Sequence, residues 1–131
     1  MDHDYVLSTG KVAQANGCSH FLLVSSAGAN KDSRLLYTRT KGEVEAELAE
    51  LGFERLSVLR PGVLMCKRED QTCGGACMQA CFTPISKCFP TAITTPTTTV
   101  AVALVNLPAI AEAEQNKIYE IKEIFNAAGE R

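Results

Sequence analysis

Much of what would assign a function at sight is missing from this sequence. Thirteen lysines and arginines stand against fifteen acids, a formal charge of −2, and the basic residues are scattered, so there is no electrostatic footprint for nucleic acid. Nucleic-acid binding is disfavoured. Long apolar runs are absent too: Val100 to Ile110 is interrupted by Asn106 and Pro108 and is too short to cross a bilayer. No membrane span is expected. The opening, Met1-Asp2-His3-Asp4-Tyr5, is acidic and has no apolar h-region, so nothing in it resembles a secretory signal. The expected location is cytoplasmic, with the nucleus as a second compartment. There is no internal repeat, and neither of the two histidines, His3 and His20, has a partner visible in sequence.

What is present is enough for one domain. The 131 residues are 46% apolar, which supplies a modest core if every element finds a partner. Residues 4–16 read as a short helix closed by Asn16-Gly17 and weakened by Gly10. Cys18 to Ser26 is a nearly unbroken apolar run, as suits a strand buried on both faces of a parallel sheet. Asp32 and Ser33 offer N-cap oxygens to a helix that runs to about Leu51, with Glu43, Glu45, Glu47 and Glu50 on its wet side and Leu48 and Leu51 toward the core. Gly52 ends it. Leu56 to Leu59 is the second strand, closed by Arg60-Pro61-Gly62, and a crossover through a helix predicts parallel pairing with the first. Arg60, polar at the end of an apolar strand, predicts a carboxylate partner.

The chain therefore divides into a β-α-β segment over 1–66, a variable loop or lid over 67–96 and a helix, strand and helix over 97–131. Within the lid, Gly74 to Phe82 is a candidate short helix. In the last part, Thr97 to Leu107 reads as a buried helix stopped near Pro108, Lys117 to Ile121 as a short strand and Glu123 to Ala128 as a final helical turn.

Two groups of side chains could carry chemistry. Tyr37 and Lys41 are four apart in the predicted helix, hence one turn apart on one face. An ammonium beside a phenol favours the phenolate and lets it pass a proton to or from a substrate oxygen, while a serine hydroxyl at the adjacent strand end holds that oxygen. Alone, the five-residue pattern is a weak signal that arises often by chance, and a half-buried tyrosine with a solvated lysine is the favoured reading of it. The second group is Cys73, Cys77, Cys81 and Cys88, three of them spaced by four. Zinc sites use closer Cys-x-x-Cys pairs, so reduced, semi-buried thiols in a lid are expected and no metal site is assigned.

The order of apolar strand, Ser25-Ser26, Tyr37-x-x-x-Lys41, strand and Arg60-Pro61-Gly62 resembles the second half of the short-chain dehydrogenase/reductase superfamily. More narrowly, Asp4-Tyr5-Val6-Leu7, Leu35-Leu36-Tyr37, Lys41-Gly42-Glu43-Val44-Glu45-Ala46 and Arg60-Pro61-Gly62-Val63-Leu64 look like the HIV Tat-interactive oxidoreductase group of atypical short-chain dehydrogenases. The likeness is close over residues 2–70 and looser beyond. It implies an α/β fold, the C-terminal portion of a Rossmann-like parallel sheet with flanking helices. It also implies NADP as cofactor, Tyr37 as proton donor and acceptor, and Lys41 on the nicotinamide ribose. Ser26 would orient the substrate, with Ser25 as the alternative, and Pro61, Gly62, Val63 and Leu64 would pack on the nicotinamide. Nuclear-import receptors and transcription regulators are the implied partners, which makes a non-catalytic interaction protein the competing expectation.

The resemblance also has a gap. Such enzymes begin with a strand, a Gly-rich turn and a helix whose N-terminus holds the pyrophosphate, and Gly10, Gly17 and Gly28 do not form that fingerprint. Cofactor binding is expected to be weak, the fold incomplete, and the first strand an exposed apolar edge.

Overall fold

The computed structural model describes residues 2–65, 94–110 and 114–129. The Gly74 to Phe82 helix and the cysteines from Cys73 to Cys88 lie outside the described residues. The elements are α1 (Asp2–Ala15), β1 (His20–Val24), α2 (Leu36–Glu50), β2 (Arg55–Leu59), β3 (Val63–Met65), β4 (Thr94–Pro96), α3 (Thr97–Asn106), a 3-10 turn (Leu107–Ala109), β5 (Asn116–Tyr119) and α4 (Ile121–Ala127).

Apolar residues on alternate positions of the strands face opposite ways, and each face needs a cover. β1 and β2 pair in parallel from His20↔Arg55 to Val24↔Leu59, and β5 joins the far side of β2, also parallel, from Leu56↔Asn116 to Leu59↔Tyr119. The order is β1-β2-β5. On one face Leu23, Leu56 and Val58 pack with Val44, Leu48 and Phe53, and with Val6 and Leu7 of α1. On the other, Leu59 and Tyr119 pack with Val100, Ala103, Leu107 and Ile124 of α3, the 3-10 turn and α4. The result is a parallel sheet between two helical layers, as in part of a Rossmann-like fold.

Several local expectations change. β1 is not buried on both faces: within it only Leu23 falls in the buried class, and Val24 is exposed, because among the described residues β1 lies at the edge of the sheet. Gly10 is a contact rather than a weak point. A Cβ there would strike Leu48 Cδ2, so the missing side chain lets α1 lie directly on α2. α2 starts at Leu36 instead of at Asp32 or Ser33, and its N-cap, Leu35, makes no side-chain cap bond. The upstream oxygens serve a preceding turn: Asn30 Oδ1 accepts the Asp32 N–H, and Ser33 Oγ accepts from Leu35 N and Thr38 Oγ1. Ile121 opens α4 rather than ending β5, since Glu120 and Glu123 form a capping box there.

Thr94–Pro96, expected inside the lid, is a strand that pairs in parallel with Val63–Met65. Thr95 is fully buried. Gly17 and Gly52 lie just beyond α1 and α2 at φ of 78° and 76°, the left-handed region that closes a helix and favours glycine.

Candidate functional site

The candidate site lies where β1 and β2 end. Ser25 N–H donates to Leu59 O at 2.8 Å and Ala27 N–H to Pro61 O at 2.9 Å, so the parallel ladder extends past both strands and fixes the two exit loops against each other. The chain then returns over the sheet as α2. Its close approach is made at Gly42, where a Cβ would strike the backbone of Asn30 and Lys31, with Asn30 Cα at 2.8 Å. No other residue allows the β1 exit loop to cross the helix there.

Tyr37 and Lys41 stand on the first two turns of α2. The Lys41 Nζ is 5.9 Å from the centroid of the Tyr37 ring, a cation–π distance. Lys41 is half-buried and pairs with no carboxylate among the described residues; Tyr37 is 61% exposed. The two serines differ. Ser26 Oγ donates to Ala27 O at 3.2 Å, whereas Ser25 is buried and its Oγ has no hydrogen-bond partner among the described residues. Neither serine is hydrogen-bonded to Tyr37 among the described residues. An orphan hydroxyl at a strand end is uncommon, because leaving it unpaired costs about 1–3 kcal/mol.

The loop after β2 is held from two sides. Pro61 is buried, the Gly62 N–H donates to the buried Thr95 Oγ1 at 3.1 Å, and Val63 and Leu64 are exposed at 38% and 43%. Arg60, just before this loop, has the carboxylate partner its position predicts. Its Nε and Nη2 grip Glu45 at 3.1 and 2.5 Å and its Nη1 reaches Glu120 at 3.3 Å. The Glu45 carboxylate is the main cause holding the guanidinium pKa above its usual range. Glu45 is thus not on the wet side of α2. It is buried, one turn beyond Lys41 and three residues before the buried Leu48, so it shares the helix's inner flank.

Glu45, Gly42 and Thr95 carry structural work at the site that their residue types did not announce. For Glu45 a signal existed, since an arginine at a buried strand end requires an acid and Glu45 is the one in phase with Leu48. The histidines also find partners. His3 bridges Asp4 at 3.1 Å and Glu47 at 3.0 Å, linking the start of α1 to α2, and His20 Nε2 lies 2.9 Å from the buried Ser57 Oγ. Among the described residues no cluster of three or more histidine, cysteine or acidic side chains could hold a metal. No described helix is long and apolar enough to cross a membrane.

The chain matches no protein-family model. It is similar to Protein HTATIP2 of Rattus norvegicus, 40% identical over 126 residues, which is 96% of this chain and 52% of that protein. It is also similar to proteins named FMP52, mitochondrial: 42% identical over 89 residues in Candida glabrata, 68% of this chain and 37% of that protein, and 41% over 75 residues in Saccharomyces cerevisiae, 57% and 32%. The chain spans about half the length of the rat relative and about a third of these fungal ones. Six fungal relatives carry the word mitochondrial in their names, which overturns the expected cytoplasmic or nuclear location. That expectation rested on an acidic opening and a missing h-region, which bear on secretion and not on mitochondrial import. By sequence the chain is similar to parts of the HTATIP2 and FMP52 proteins, and its own fold is a parallel α/β sheet flanked by helices.

Proposed function

We propose that this chain is a short-chain dehydrogenase-type unit of the HTATIP2-like group whose Tyr37 and Lys41 form the proton-transfer pair of an NADP-dependent oxidoreductase. The observation that carries this reading is the placement of the phenol and an ammonium free of any described carboxylate on one face of α2, beside the carboxyl ends of two parallel strands. The residues present fit the nicotinamide end of the cofactor. Lys41 and Tyr37 would hold the ribose, and the Pro61–Leu64 loop, anchored through Gly62 N–H to Thr95, would pack against the ring. The cofactor, when bound, supplies a hydride to a carbonyl carbon.

Within this reading Tyr37 delivers its phenolic proton to the carbonyl oxygen as the hydride arrives, and Lys41 stabilises the phenolate left behind. Ser26, which is half-buried, is the candidate for holding the substrate oxygen, with Ser25 as the alternative: the Ser25 hydroxyl has no partner among the described residues but is buried, whereas that of Ser26 donates to Ala27. Of the described residues, none supplies the strand, Gly-rich turn and helix that would cradle the pyrophosphate, so affinity for NADPH is weak. The names of the fungal relatives make mitochondria the first compartment in which to look for the protein.

A second reading is favoured by one surface feature. Leu35, Leu36 and Tyr37 are consecutive and 61 to 70% exposed, a contact surface for a protein partner such as a transcription regulator. Substituting Tyr37 by phenylalanine separates the two readings. In the enzyme it lowers NADPH-dependent reduction of an aromatic aldehyde by about 100-fold or more; in the interaction protein there is no turnover to lose.

A further inference from the structure

The turn that carries Tyr37 is tied to the loop before it: the Asn30 N–H donates to Thr38 O at 3.0 Å, and Thr38 Oγ1 and the Leu35 N–H donate to Ser33 Oγ. The N-cap of α2 itself makes no side-chain bond, and Leu35, Leu36 and Tyr37 are all exposed, so none of these bonds ties this end of the helix to β2 or to the loop after it. Two contacts further along bear on how the helix lies at the site. Gly42 lies against the backbone of Asn30 and Lys31, and Glu45 is gripped by Arg60. The first sets how closely the helix approaches the loop after β1. The second sets its direction, because a planar guanidinium holding a carboxylate by two parallel hydrogen bonds fixes both distance and angle.

Arg60 is itself tied on both sides. Its N–H donates to Tyr119 O at 2.9 Å, its Nη1 reaches Glu120 between β5 and α4, and the next residues are the Pro61–Leu64 loop. A groove of about 310 Å³, bordered by Asn30, Lys31, Gly42, Glu45, Arg60 and Ile118, opens along this grip. Hence one side chain joins α2, the end of β2 and the β5–α4 junction, and it does so one helical turn from Lys41 and one residue from the loop that Lys41 must oppose.

We propose that Arg60 is a positioning residue: its two-pronged grip on Glu45 sets the direction of α2 and thereby places Tyr37 and Lys41 against the Pro61–Leu64 loop. The inference rests on the oxidoreductase reading for its consequence and on geometry alone for its mechanism. The Arg60 guanidinium is engaged by Glu45 and Glu120, so in this reading it acts through α2 rather than on substrate or cofactor.

The test compares Arg60→Lys and Glu45→Gln with the unaltered chain and with Glu120→Gln, which removes only the exposed partner. Both principal variants keep the size of the side chain and so favour retained folding; lysine keeps the charge and loses the fork, glutamine keeps an acceptor and loses the charge. Two quantities are read on 3-fluorotyrosine-labelled protein. One is the fluorine resonance of Tyr37, assigned by Tyr37→Phe, with that of the exposed Tyr5 as internal reference. The other is kcat for reduction of 4-nitrobenzaldehyde by NADPH, in which hydride passes to the carbonyl carbon, the Tyr37 proton to its oxygen, and NADPH becomes NADP+.

The expected result is that Arg60→Lys and Glu45→Gln move or broaden the Tyr37 resonance and lower kcat about 10-fold while the aldehyde KM changes less than 2-fold, with Glu120→Gln near the unaltered values. A lower melting temperature with the Tyr37 resonance and kcat unchanged overturns the proposal, because Arg60 is then a stabilising ion pair only. If the unaltered chain shows no turnover, the oxidoreductase reading falls. The positioning claim is then decided by the fluorine resonance alone, which lies two turns from the substituted contact and responds only if the helix moves.

Discussion

At Gly42 a single hydrogen stands where any other residue would place a carbon against the backbone of Asn30 and Lys31. Backbone cannot rotate away as a side chain can, so Gly42→Ala should cost about 1–3 kcal/mol of overpacking even after its gain in helix propensity, read as a lower urea midpoint. Gly10 is the informative contrast. There the added carbon meets the Leu48 side chain, which can adjust at the cost of some core packing, so Gly10→Ala should stay within about 1 kcal/mol of the unaltered chain. Tyr37 is different in kind: its ring is exposed and its hydroxyl has no described partner, so Tyr37→Phe should leave the melting temperature in place. Any loss of turnover in that variant is then chemical.

At the scale of elements, the two histidines report on how α1 and β1 are held, and their pKa values are shifted in opposite directions. Asp4 and then Glu47, through hydrogen bonds, raise His3 above 6.5, while burial, and secondarily Arg55, lowers His20 below it. The His3 link between α1 and α2 therefore contributes fully below pH 6.5 and is lost as pH rises through its higher folded value. His20 contributes with the opposite sign, fully above 6.5 and less as pH falls through its lower folded value. A proton NMR titration should find the two midpoints on either side of 6.5. Glu47→Gln should lower the His3 midpoint and leave that of His20 unmoved; two coincident midpoints would refute both assignments.

The elements that the residues announced were those with sharp punctuation. Phe21 to Val24 and Leu56 to Leu59 are apolar runs bounded by Gly or Pro, and their parallel pairing follows from the helix between them. The start of α2 was illegible because Asp32 and Ser33 look like caps, yet their neighbourhood is used by a turn built on Asn30 and Ser33. Glu45 was hidden for a related reason. Charge alone puts a glutamate in water, and only the arginine fifteen residues away in sequence reverses that. β4 could not be read from Thr94-Thr95-Pro96, since a short threonine strand beside prolines has the composition of a loop. At the site itself, the spacing of Tyr37 and Lys41 was plain in sequence, whereas the orphan hydroxyl of Ser25 is visible only in three dimensions.

On the scale of the whole molecule, two layers of helices cover a three-stranded parallel sheet whose β1 pairs on one side only among the described residues. An unpaired strand edge with an exposed valine beside it favours association. Sedimentation velocity should therefore show a weight-average coefficient that rises with concentration, and a constant monomer value would contradict that edge. The chain also spans 52% of the length of its rat relative, and in the proposed reading Tyr37, Lys41 and the Pro61–Leu64 loop would meet the cofactor's reactive half rather than its pyrophosphate. The most direct measurement follows deuterium from NADPH labelled at the nicotinamide C4 into 4-nitrobenzyl alcohol formed from 4-nitrobenzaldehyde. The account predicts label in the alcohol with the unaltered chain, at an NADPH concentration well above a weak affinity, and almost none with Tyr37→Phe; equal labelling by the two proteins, or none with either, would contradict it.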